Sequence, residues 1–153
     1  MLKHILVPLD GSAVAQRALD YAKQVVDPTE GRMTLLTAVA LPEFTSVAYY
    51  PAVVPFENGP QIVEDQLIPQ ALDYLRHQAD DLTKAGYNVD VEAVMDDPAN
   101  AIVEKAEKAQ VDAIVMSTHG RSGISRWLFG SVASKVLGSA PCPVLIVPVR
   151  AKQ

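Results

Sequence analysis

Apolar positions along the chain follow two patterns that take turns. Unbroken apolar runs occur at Ile5-Leu6-Val7, at Ala113-Ile114-Val115-Met116 and at Val144-Leu145-Ile146-Val147. Runs this short suit strands buried on both faces of a parallel sheet. Thr34 to Val39 reads the same way, and Val89 to Val94 alternates. Between these strands the spacing changes to that of helices. Val14, Ala18, Ala22, Val25 and Val26 form a stripe behind Ser12, a residue type that caps helix N-termini. Leu67, Ala71, Leu75, Ala79 and Leu82 line one face of a helix predicted over 62–84. Pro69 kinks that helix or marks its true start, and Gly86 fits the position just past its end. Asp97-Pro98 supplies an N-cap and an N1 proline for a helix carrying Ile102, Ala106 and Ala109. A last helix holds Val132, Val136 and Leu137. Residues 41–60 carry Pro42, Pro51, Pro55 and Pro60 without a period and read as a mobile excursion.

Strict alternation of strand and helix predicts an α/β fold, a three-layer sandwich around a five-stranded parallel sheet with right-handed crossovers. Ligands bind such sheets beyond the carboxyl ends of the strands, where the strand order reverses. The polar loops with glycine and hydroxyl residues follow strands one and four. With those strands as neighbours the order is 3-2-1-4-5, and Asp10-Gly11-Ser12 faces the loop from Ser117 to Ser131 across one crevice.

Composition narrows the class. A chain of 153 residues, 49% hydrophobic and 20% charged, suits one globular domain, expected over 1–150. No apolar run approaches the ~20 residues of a membrane helix. The N-terminus enters a strand directly, without the long apolar region of a signal peptide, and Cys142 is the single cysteine. A cytoplasmic location is expected.

Charge is divided unevenly. The last acid is Asp112; beyond it stand Arg121, Arg126, Lys135, Arg150 and Lys152, so the last 41 residues carry +5 and the first 112 carry −10. The acid-free zone contains a glycine-rich loop, with Gly120, Gly123 and Gly130, that leads into Ser131 at the start of the last helix. Glycines let the backbone approach a ligand closely, and helix N-termini attract phosphate. An acidic protein with one basic loop points to a small anionic ligand, not to nucleic acid.

The whole chain resembles the universal stress protein A family, in its nucleotide-binding branch. The likeness rests on His4-Ile5-Leu6-Val7-Pro8-Leu9-Asp10-Gly11-Ser12, on Asp97-Pro98-Ala99-Asn100-Ala101-Ile102, on Ser117-Thr118-His119-Gly120-Arg121-Ser122-Gly123, on Gly130-Ser131-Val132 and on Ala140-Pro141-Cys142-Pro143-Val144-Leu145-Ile146-Val147. The family's ATP motif is glycine, two residues, glycine, nine residues, glycine, then serine or threonine. Gly120, Gly130 and Ser131 satisfy it, and Ser117 stands in place of the first glycine. The resemblance implies a Rossmann-like fold of the adenine nucleotide alpha hydrolase type. It implies that Gly120, Gly130, Ser131 and Val132 hold phosphates and that Met116 and Ser117 flank the ribose. It places Asp10 against the adenosine part, with Pro8 and Leu9 as the wall, and aligns Ala38, beside Val39, with the family's adenine contact. Mg²⁺ would relieve the repulsion between Asp10 and a triphosphate.

Other residues have two readings each. Arg121 and Arg126 could reach phosphate oxygens or be solvated loop arginines. His119 could be a base, but a loop histidine with no acid near it in sequence is more often structural. Trp127 and Phe129 read as packing or partner contacts, and Cys142 between two prolines as inert. The expected function is ATP-dependent regulation in the stress response. The alternatives are a weak ATPase on the same fold, disfavoured by the lack of a Gly-Lys-Ser/Thr loop, and a dimeric interaction module without nucleotide. Strand five, apolar and at the sheet edge, is expected to join a homodimer, as is common in the family.

Overall fold

The computed structural model describes residues 1–40, 59–118 and 130–148. Five parallel strands form one sheet in the order β3-β2-β1-β4-β5, as expected. In chain order the elements are β1 (His4–Pro8), α1 (Ala13–Val25), β2 (Arg32–Val39), α2 (Gly59–Ile62), a π-helical turn (Val63–Leu67), α3 (Ile68–Lys84), β3 (Asn88–Met95), α4 (Pro98–Lys108), β4 (Ala113–Ser117), α5 (Ser131–Ser139) and β5 (Val144–Val147).

Side-chain alternation divides the core between the two faces of the sheet. Ile5, Val7 and Leu9 pack with Met33, Leu35 and Val115 under α1 and α3. Leu6, Leu36, Ala38, Ile114 and Met116 pack under α4 and α5. The predicted α3 stripe, from Leu67 through Leu82, is buried throughout.

Local sequence explains the element ends. The Ser12 hydroxyl accepts the Ala15 N–H at 3.1 Å, and an Asp97 carboxylate oxygen accepts the Asn100 N–H at 3.0 Å. Past α3, Gly86 at φ +98 closes the helix. Its N–H donates to Thr83 O at 2.9 Å and the Tyr87 N–H to Leu82 O at 3.1 Å, the paired bonds of a Schellman end. Pro69 lies in the first turn of α3, directly behind the π turn, where the Ile68 N–H bonds back to Val63 O. The wider turn accommodates a residue that lacks an N–H and crowds the preceding carbonyls. Val26 departs from expectation: α1 stops at Val25, and Val26 is extended and bridged to Leu2. Its side chain still joins the core cluster on the α1 and α3 face of the sheet.

Candidate functional site

The sheet parts between β1 and β4 at its carboxyl end. β1 pairs with β2 along its full length, from His4↔Arg32 to Pro8↔Leu36, and the Leu9 N–H continues the ladder to Leu36 O at 2.8 Å. With β4 it pairs only at Ile5↔Ala113 and Leu6↔Ile114. β4 meanwhile stays with β5 through Ser117↔Val147, followed by Thr118 N–H to Val147 O at 3.3 Å. A gap opens between Pro8–Asp10 on one side and Met116–Thr118 on the other, at the point where the strand order reverses.

Pro8 accounts for the gap. Successive residues of a strand turn their backbone polar groups to opposite neighbours. Lys3 O accepts from Arg32 N–H of β2, and His4 O accepts from Asp112 N–H just before β4. Odd residues of β1 therefore face β2 and even residues face β4. The next rung toward β4 would need an N–H at position 8, and proline has none. The β2 side, served by odd residues, is untouched.

Asp10 stands at the mouth of the gap with a relative exposure of 5%. Its Oδ1 accepts the Ser12 N–H at 2.9 Å, across Gly11 at φ +83. Only glycine adopts that conformation freely, which is why the turn can be this tight. No other partner of the carboxylate is found among the described residues. The helix that follows β4 is α5, which packs on one face of the sheet. Ala133 and Val136 anchor this helix among Leu6, Ile114 and Met116. Gly130 is its N-cap and provides no side-chain hydrogen bond, in contrast to Ser12 on α1 and Asp97 on α4. Its first turn has no acid.

The expected site residues that the structure describes divide into three groups. Pro8, Leu9, Asp10, Met116 and Ser117 flank the gap, and Gly130, Ser131 and Val132 open α5. Ala38 and Val39 end β2, one strand removed from the gap. Leu9, Ala38, Val39 and Met116 are core side chains, so only their backbone can meet a ligand. His119, Gly120, Arg121 and Gly123, together with Arg126, Trp127 and Phe129, lie outside the described residues, as do 41–58 of the expected excursion. Thr37 was not among the expected residues. It is fully buried, and its hydroxyl donates to Leu9 O at 2.9 Å. The available signal was a hydroxyl inside an apolar strand. Cys142 is half-buried, and burial pushes its thiol above the usual range.

The universal stress protein family profile matches residues 1–148. The chain belongs to this family. A universal stress protein of Methanocaldococcus jannaschii is 31% identical over 147 residues, covering 96% of this chain and 82% of the relative. The solved structure of another universal stress protein of that archaeon superposes with a TM-score of 0.82 at 28% identity, covering 98% of each chain. A universal stress protein solved in complex with cAMP gives 0.68 at 25% identity, over 95% of this chain and 97% of its own. Among the described residues no helix is long and apolar enough to cross a membrane.

Proposed function

We propose that this universal stress protein binds one adenine nucleotide per chain, ATP foremost, in the gap between β1 and β4. The nucleotide acts as a ligand that biases conformation or partner choice in the stress response, which requires unequal affinity for the two states. The observation that carries this reading is a sheet parted between β1 and β4 with a buried carboxylate, Asp10, at its mouth, followed after β4 by a helix whose start has no acid and no side-chain cap. The nucleoside lies on the Asp10 side, where a carboxylate accepts from hydroxyl or amino groups. The phosphates lie at Gly130-Ser131-Val132, where free N–H groups and the helix dipole favour negative charge. The complex of a relative with cAMP supports an adenine nucleotide.

Asp10 offers one carboxylate oxygen without a described partner, and no group of three His, Cys, Asp or Glu gathers there among the described residues. This suits Mg²⁺ carried by the phosphates, since Mg²⁺ commonly keeps its waters and takes one or two carboxylates. The proposed assembly is a homodimer through β5, whose Leu145 remains 40% exposed at the sheet edge. The test of the ligand is direct. Freshly purified protein is denatured and any released nucleotide identified by mass spectrometry; emptied protein is titrated with ATP and Mg²⁺ in a calorimeter. Saturation near one per chain is expected. No heat and no thermal shift at millimolar ATP refutes the reading.

A further inference from the structure

Resting on the nucleotide reading, we infer that Thr37 is a positioning residue for the gap: by holding the Leu9 carbonyl toward β2, its hydroxyl turns the Asp10 backbone N–H toward β4, to meet the nucleoside. Leu9 is the first residue past β1, and both of its backbone polar groups are tied to β2. Its N–H donates to Leu36 O at 2.8 Å, and its carbonyl accepts the Thr37 hydroxyl at 2.9 Å. The next rung of the ladder would bring the Ala38 N–H to that carbonyl, so the hydroxyl takes over where the strand pairing ends.

The consequence for Asp10 follows from peptide geometry. The carbonyl of Leu9 and the N–H of Asp10 belong to one planar unit, and in a trans peptide they point in opposite directions. A carbonyl held toward β2 therefore sends the Asp10 N–H away from β2. That side is where β4 has separated, and no acceptor for this N–H is found among the described residues. Asp10 thus presents a backbone donor beside a carboxylate acceptor. Such a pair matches a group carrying both a hydrogen-bond acceptor and a donor, as ribose hydroxyls and the adenine edge do. Bare phosphate oxygens lack the donor. Thr37 itself is fully buried and touches no ligand; it acts through the Leu9 carbonyl.

The test compares Thr37→Val, which keeps the shape and removes the hydroxyl, with Thr37→Ser, which keeps the hydroxyl. ATP is titrated by calorimetry into wild type and both variants. In ¹⁵N-labelled wild type the Asp10 amide resonance is followed during the same titration. Thr37→Val is expected to weaken ATP about tenfold, the equivalent of ~1.4 kcal/mol and the size of one hydrogen bond. Thr37→Ser should stay within about twofold, and the Asp10 amide should move among the largest shifts. A folded Thr37→Val that binds like wild type overturns the inference, as does a Thr37→Ser as weak as Thr37→Val. If Thr37→Val does not fold, the wild-type amide decides: an Asp10 resonance that stays in place at saturation overturns it. Wild type that binds no ATP overturns the nucleotide reading itself, a result distinct from equal binding by wild type and variant.

Discussion

Replacing Asp10 by asparagine separates a ligand-binding role from a turn role. The side chain is 5% exposed and its one described bond is from the Ser12 N–H at 2.9 Å. An asparagine oxygen can take the same bond. The bond changes from charge-assisted to neutral, a loss of about 1 kcal/mol, while the burial cost of an ionised group disappears. The net effect on folding should lie within ~1 kcal/mol, or roughly 2–4 °C in Tm for a domain of this size. Asp10→Ala orphans the Ser12 N–H and should cost about 1–3 kcal/mol. Binding responds differently. A carboxylate that accepts from nucleoside hydroxyls contributes about 1.5–3 kcal/mol, so Asp10→Asn should weaken ATP roughly ten- to hundredfold. Thermal unfolding without ligand and calorimetry with ATP read the two effects apart. Titration in EDTA then distinguishes direct contact from contact through Mg²⁺, because only direct contact leaves the deficit intact without the metal. An Asp10→Asn protein that melts several degrees lower yet binds ATP within about threefold of wild type (below ~1 kcal/mol) would show that Asp10 is a turn residue alone.

Four further outcomes are expected. Gly130→Val fills the space where phosphate approaches the backbone and should weaken ATP by several kcal/mol, two or three charged hydrogen bonds at roughly 1.5–3 each; a folded variant that binds normally in calorimetry removes the phosphates from α5. Pro8→Ala restores the missing N–H on the β4 side, so its new amide should resist hydrogen exchange while ATP affinity falls; an unprotected amide with unchanged affinity means proline does not hold the gap open. Ile146→Lys in β5 should convert a dimer into a monomer by light scattering, and a native mass of one chain at micromolar concentration refutes the interface. His4, at the opposite end of the sheet, bonds Thr34 Oγ1 at 2.8 Å and Arg32 Nη2 at 3.3 Å. The guanidinium can only donate, so Nδ1 accepts and Nε2 carries the proton. Burial first, then the Arg32 charge, lowers the His4 pKa against the opposite pull of Asp90, the Ala109 backbone and Asp112. A lowered folded pKa means stability present above the ordinary value, about 6.5, and lost as pH falls through the folded one. Urea midpoints should therefore fall as pH drops below ~6.5, and His4→Gln should flatten that decline.

The fold was legible because each layer leaves a periodic trace. Every strand was found within two residues at either end, and the misses share a cause. His4, Arg32 and Asn88 join ladders through the backbone, which side-chain pattern does not record. The π turn before α3 left only Pro69 as a mark, and that mark allowed two readings. Asp10 and Ser12 stood out because a polar pair directly after an apolar run has few places to go. Thr37 did not, since a β-branched residue in a strand needs no special reason. Leu9, Ala38, Val39 and Met116 are core side chains, and an apolar residue at a strand's carboxyl end reads the same for core as for ligand wall.

The gap itself is written in the parity of one position. A proline at 7 or 9 would remove an N–H from the β2 side and loosen the sheet where it must stay closed. At 8 it removes the N–H that faces β4, so β1 remains bound to β2 through Leu9 while β4 departs with β5. The same parity then governs what lines the opening. Position 10 is even, at the edge that β4 has left, and its carboxylate is fixed by the Ser12 N–H two residues on. Proline, aspartate and glycine in that order are thus three separate physical instructions: end one ladder, place a charge, turn sharply into α1. A composition-matched sequence with the proline shifted by one residue would carry the same motif residues and lack the gap.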